Sequence, residues 1–237
     1  SGLFFPPAKS VLEHQVLDVN KIHFILASVP NKNDLVNEIY RYLDENRSPY
    51  ELETNEYYWK NLGTKNRFDT AEVGFIKRIL QRELPKSLRK IITDGLFRKH
   101  VTNDECAFSQ ELYMSIDQIS HLQRNAMYIG SHGFNHYWLN SINENEQEKE
   151  IDLSLQFLEK IGSNTERWIM CYPYGAYNNS LLNILEDRGC VVGLTTNVGI
   201  ADLGKDNPLT LPRLDTNDLP KKSNEPPNKW TIKAMGG

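Results

Sequence analysis

Two histidines stand four residues apart within the segment 130–136, and they are the first candidates for chemistry. His132 and His136 would project from one side of a helical turn, so both imidazoles could reach one divalent ion at about 2.0–2.1 Å. Neutral imidazole nitrogen suits zinc, nickel or cobalt better than magnesium or calcium. The spacing therefore predicts a divalent metal site with zinc as the expected ion, and capping or packing is the alternative role for the pair.

The second candidate is the segment 171–177, in which aromatic residues flank a proline and a glycine. Proline and glycine predict a rigid turn that can expose backbone N–H groups, and aromatic rings suit the face of a sugar. An ordinary aromatic-rich turn is the alternative interpretation.

Both segments follow predicted strands, which are the elements that must position them. The predicted strands are 127–130, 168–172 and 190–196. Helices are predicted between them, one behind a capping box at Ser141–Glu144 and one over 180–188. This alternation predicts an α/β fold with parallel strands, whose chemistry lies where the strands end. The run 143–150 is predicted to be a solvated helix face, and 31–106 is mostly helix and loop.

Composition narrows the class of protein. The 237 residues carry 27 Lys+Arg against 31 Asp+Glu, a net charge of -4, which argues against an electrostatic nucleic-acid binder. The apolar runs are far shorter than the roughly 20 residues of a bilayer span, so no membrane span is expected. Three scattered cysteines favour a reducing compartment and hence a cytoplasmic location. Oligomeric state stays open.

Taken in order, the two segments resemble the polysaccharide deacetylase family. His132 and His136 fall on that family's paired-histidine motif, and Pro173-Tyr174-Gly175 resembles the turn that borders its active-site groove. Residues 3–7 are similar to its second barrel strand and 211–215 to its last motif. The resemblance implies a distorted (β/α) barrel over 1–219, with a largely helical insertion at about 31–106. The polar, proline-bearing composition after it predicts an extended tail over 220–237.

The resemblance also implies an activity: metal-dependent removal of an N-acetyl group from a sugar of a cell-surface polysaccharide or its precursor. An N-acetylated carbohydrate would then be the partner. The implied site residues are the metal ligands His132 and His136, the oxyanion-binding backbone N–H of Tyr174, Asp215 as a substitute general acid, and Tyr172, Pro173, Tyr177 and Arg213 against substrate. A solvated loop carboxylate is the alternative for Asp215.

In that family, an Asp-Asp pair on the strand before the one that residues 3–7 resemble supplies the base and a third metal ligand. Two alternatives follow. Residues preceding Ser1 supply the pair, or the protein is a non-catalytic carbohydrate-binding or scaffolding member of the same fold. A structural zinc site on an unrelated α/β protein is a third reading.

Overall fold

The computed structural model describes residues 2–65, 69–222 and 224–235, which divide into two compact units. Unit 1 comprises Ser1–Glu13 and Tyr113–Gly237, and unit 2 comprises His14–Leu112. The predicted helical insertion, 31–106, lies inside unit 2.

The elements are numbered in chain order. The helices are α1 (Ala8–Glu13), α2 (Asp18–Ser28), α3 (Lys32–Asn46), α4 (Asn55–Leu62), α5 (Ala71–Arg78), α6 (Lys86–His100), α7 (Glu105–Leu112), α8 (Ile116–Arg124), α9 (Glu144–Lys160), α10 (Asn179–Asp187) and α11 (Lys229–Ala234). The strands are β1 (Leu3–Phe4), β2 (Tyr128–Ile129), β3 (Trp168–Cys171), β4 (Cys190–Val198) and β5 (Leu211–Arg213). Among the described helices, none combines the length and the apolar character needed to cross a bilayer.

Unit 2 is built from helices α2 to α7 around an apolar core. On α3, Leu35, Ile39 and Leu43 recur every four residues and are fully buried, because this spacing places them on one face of the helix. The core also encloses the charged side chain of Lys21. Its Nζ lies 2.5 Å from Asp94 Oδ1 and 2.8 Å from Glu105 Oε1, so two carboxylates compensate the buried ammonium.

Unit 1 contains parallel strands, as the sequence predicts. β1 pairs with β2, and β3, β4 and β5 form a second sheet in that order. A single bridge between Ser131 and Met170, also parallel, links the end of β2 to β3. The predicted α/β fold with parallel strands is confirmed. Closure into a barrel is not among the pairings of the described residues.

Helix α9 begins two residues later than the sequence prediction. The capping box is formed by Asn143 and Glu146 instead of Ser141 and Glu144, because Ser141 ends a short 3₁₀ turn and donates its hydroxyl to Trp138 O at 2.7 Å. The prediction of a solvated face over 143–150 is also wrong in part. Gln147 and Glu150 are buried, the latter with 3% exposure. This face of α9 therefore points into the interior of unit 1.

The region 220–237 differs from the extended tail that the sequence predicts, since it contains α11. Asn228 caps this helix by accepting hydrogen bonds from the backbone N–H groups of Trp230 and Thr231, both at 3.0 Å.

Candidate functional site

The two candidate histidines lie on a loop that follows β2, here called the histidine loop (residues 131–138). It has no helical turn, which corrects the sequence prediction: Gly133 has φ 70° and His136 has φ 59°, both in the left-handed region. The rings of His132 and His136 are nevertheless neighbours, with centroids 4.7 Å apart and planes at 68°. The loop, instead of a helix, brings the two imidazoles together.

His132 has a fixed hydrogen-bond partner that the sequence could not identify. Its Nδ1 lies 2.5 Å from the carbonyl oxygen of Cys171, at the end of β3. Because a carbonyl can only accept, Nδ1 carries the proton and the lone pair of Nε2 is left for a metal or a substrate proton. The strand pairing explains the contact: the N–H of Cys171 donates to Ser131 O at 2.9 Å, which sets the neighbouring His132 beside Cys171.

Burial lowers the pKa of both imidazoles. For His132 the positive charge of Arg213 adds to the effect of burial, although the hydrogen bond to Cys171 opposes it. For His136 burial, together with the neighbouring His132, lowers the pKa to about 3. Both rings are therefore neutral at neutral pH, which is the protonation state that binds metal ions.

Helix α9 holds the histidine loop through side chains that the sequence analysis missed. Glu150 accepts hydrogen bonds from the backbone N–H groups of Phe134 at 3.2 Å and Asn135 at 2.8 Å, and from the side-chain amide of Asn135. One turn later, Ser154 Oγ accepts from Ser131 Oγ at 2.9 Å. Positions 147, 150, 151 and 154 recur at helical spacing, and this was the available signal that Glu150 faces inward.

The second predicted segment contributes a 3₁₀ turn, Pro173–Gly175, here called the aromatic turn. Tyr174 sits in it with φ 57° and ψ 9°, and its ring meets the ring of His136 edge-on at 4.8 Å. Trp138, which the sequence analysis did not select, stacks on Tyr174 with centroids 4.4 Å apart and planes 4° apart. Four rings thus run in series from His132 to Trp138.

The other residues predicted in this segment support the turn from inside. Tyr172 is only 1% exposed and donates its hydroxyl to Leu209 O at 2.7 Å. A side chain so buried does not reach a substrate, so its assignment to substrate binding is corrected to a core role. Pro173 is also buried, and Tyr177 is half-buried with its ring 5.2 Å from that of Tyr172.

Arg213 and Asp215, the predicted residues of the last motif, are both exposed. Arg213 Nε donates to Thr195 O at 2.7 Å, and its charge acts on His132 and Cys171. Asp215 caps a 3₁₀ turn, and hydrogen bonds from Asn217 hold the pKa of its carboxyl below the ordinary value. A general acid needs a pKa near the working pH, so these properties suit a cap better than a proton donor.

The site contains two neutral imidazoles, a type of side chain that zinc accepts as a ligand. Within the described residues, no group of three or more His, Cys, Asp or Glu side chains is arranged to hold a metal ion. Two neutral imidazoles with one fixed tautomer fit two positions of a tetrahedral zinc site, and further ligands must come from water, substrate or residues outside those described.

Residues 92–193, which contain the histidine loop and the aromatic turn, match the family model for polysaccharide deacetylase. Over this part of its length the chain resembles the polysaccharide deacetylase family. The chain is also similar to YxkH of Bacillus subtilis (strain 168), a protein named for a proposed polysaccharide deacetylase activity. The deacetylase-like chain is 27% identical to it over 89 residues, which are 38% of this chain and 32% of YxkH, so the match spans about a third of that relative. Arg213 and Asp215 lie outside the family match.

Two solved structures are also similar to this chain. The Streptococcus pyogenes deacetylase PplD in complex with acetate matches with 28% identity and a TM-score of 0.41, over 45% of this chain and 47% of that one. IcaB from Ammonifex degensii matches with 18% identity and a TM-score of 0.38, over 45% and 50% of the two chains.

Proposed function

We propose that the protein is a metal-dependent deacetylase that removes an N-acetyl group from a sugar of a cell-surface polysaccharide or its precursor. The observation that carries the metal dependence is the pair His132 and His136, neutral, with ring centroids 4.7 Å apart and with Nδ1 of His132 committed to the Cys171 carbonyl. The match of residues 92–193 to the polysaccharide deacetylase family model supports the reaction class.

In this proposal each part of the site has one task. His132 and His136 bind a divalent ion, zinc in first place. When bound, such an ion lowers the pKa of a water molecule toward about 7 and polarises the acetyl carbonyl. Tyr174 has a left-handed backbone and a ring that meets that of His136, and its N–H is proposed to hold the tetrahedral oxyanion.

We also propose that the two parallel sheets are parts of one distorted (β/α) barrel. The bridge between Ser131 and Met170 supports this, because it connects the order β1-β2 to the order β3-β4-β5 through the strand ends that carry the candidate site. A carboxylate for the base and a third ligand would then come from a strand beside β1.

Metal analysis of purified variants tests whether His132 and His136 bind the cation. We expect His132→Ala and His136→Ala each to abolish zinc retention after dialysis while the protein stays folded by circular dichroism. His121→Ala is the matched control, because His121 is an exposed histidine of α8 in the same unit. Unchanged zinc content in both loop variants would refute the site.

An acetate assay tests the reaction. With zinc bound, the protein is expected to release acetate from N-acetylated glycans, and His132→Ala is expected to abolish release. Retained zinc and glycan binding without acetate release would instead support the alternative of a non-catalytic carbohydrate-binding member.

A further inference from the structure

The buried carboxylate of Glu150 is a feature that neither the metal ligands nor the aromatic turn explains. It lies on α9, in the interior of unit 1, and it accepts hydrogen bonds from three N–H donors of the histidine loop. We propose that Glu150 is a positioning residue that sets the separation of the His132 and His136 imidazoles. The effect of Glu150 on cation binding rests on the proposed function, whereas its effect on the separation of the two rings does not.

The position of the contacts within the loop carries this inference. Only three residues separate the two histidines, and Glu150 binds the backbone of two of them, Phe134 and Asn135. The turn has left-handed residues at Gly133 and His136, and this conformation is uncommon in a residue other than glycine. The carboxylate stabilises this path from the centre of the turn, because it binds the two residues between them.

Burial of a carboxylate is energetically unfavourable unless hydrogen-bond donors surround it, so packing alone does not account for Glu150. A glutamine of the same length would not replace it fully: Oε2 accepts both backbone N–H groups and Oε1 accepts the Asn135 side-chain amide, so the glutamine NH₂ group would face one of these donors. The neighbouring turn of α9 works in the same direction, because Ser154 accepts from Ser131 just before the first histidine. One helix face thus fixes the start and the middle of the loop.

The first test measures the ring separation itself, with no metal present. In protein labelled at histidine, ring-to-ring nuclear Overhauser contacts between His132 and His136 are expected in the wild type and absent in Glu150→Gln. Glu144→Gln is the matched control, since Glu144 is an exposed glutamate of the same helix. If Glu150→Gln does not fold, Asn135→Ala serves instead, because it removes one donor and leaves the carboxylate in place.

The second test measures affinity for Co²⁺ by its d–d absorption. Loss of a group that orients a metal ligand typically weakens binding 10–100-fold, and we expect a change of this size for Glu150→Gln and none for Glu144→Gln. Ring contacts and Co²⁺ affinity that both match the wild type in Glu150→Gln would overturn the inference. A wild type that shows the ring contacts but binds no Co²⁺ would refute the proposed metal dependence, while the ring comparison still decides the role of Glu150.

Discussion

Replacing Tyr172 by phenylalanine separates a core residue from a substrate-binding one. The hydroxyl of Tyr172 donates to Leu209 O at 2.7 Å, and both residues are buried. Phenylalanine keeps the ring and removes only the donor, so the Leu209 carbonyl loses this hydrogen bond away from water. A buried polar group left without its partner costs about 1–3 kcal/mol. At roughly 3 °C for each kcal/mol in a chain of this size, unit 1 should melt about 3–9 °C lower.

Calorimetry is the suitable assay, because it can resolve separate transitions if the two units unfold independently. Tyr177→Phe is the matched control: its ring lies 5.2 Å from that of Tyr172, and no hydrogen bond of its hydroxyl is found within the described residues. We expect Tyr177→Phe to leave the melting temperature within about 1 °C, because it keeps the packed ring and removes no hydrogen bond found within the described residues. A Tyr172→Phe protein with unchanged melting and weakened glycan binding would refute the core assignment and restore the substrate-binding one.

Three further predictions follow from buried or crowded groups. Gly175→Ala should destabilise unit 1 by about 1–3 kcal/mol in urea unfolding, since its Cβ would lie 2.1 Å from Thr196 Oγ1 at a residue with φ 70°. Asp94→Asn should cost roughly 2 kcal/mol at pH 7, because Lys21 loses a charged partner. Burial raises the pKa of the Asp94 carboxyl, but hydrogen bonds from Lys21 and Lys90 outweigh it and hold the pKa below the ordinary 3.8. The stability difference between the wild type and Asp94→Asn should therefore persist above pH 4 and shrink as the pH falls further. A difference that stays constant with pH would contradict this prediction. Nitrogen NMR should show His132 as the neutral Nδ1–H tautomer; an Nε2–H tautomer would contradict the observed geometry.

The sequence predicted the strands well because their signal is local. The three strands expected around 128, 168 and 190 are present, and parallel pairing brings the ends of β2 and β3 together, which places the histidine loop beside the segment 171–177. The resemblance to polysaccharide deacetylases, made on these two segments, is confirmed by the family match over 92–193. The order of the motifs along the chain and the spacing of apolar residues were sufficient to predict the strands and the family resemblance.

What the sequence did not predict depends on contacts between distant residues. The partner of His132 is a backbone carbonyl 39 residues away, and a carbonyl leaves no trace in the sequence. Tyr172 and Tyr174 look alike in a one-dimensional pattern, yet one faces Leu209 in the core and the other faces His136. Glu150 was hidden in a run of charged residues, where composition suggested solvent and only the helical spacing suggested the interior.

Backbone strain provides an independent argument that these contacts serve a site. Five non-glycine residues in the described parts have left-handed backbone, and two of them, His136 and Tyr174, have rings 4.8 Å apart. This conformation costs roughly 1–2 kcal/mol for a residue with a Cβ. Contacts specific to this place offset it: the stack of Trp138 on Tyr174, and the hydrogen bonds from the loop to Glu150. Glycine would relieve such strain at either position. Two of the five residues touch each other, one a candidate ligand and the other the candidate oxyanion donor, and this clustering agrees with strain held at a functional site.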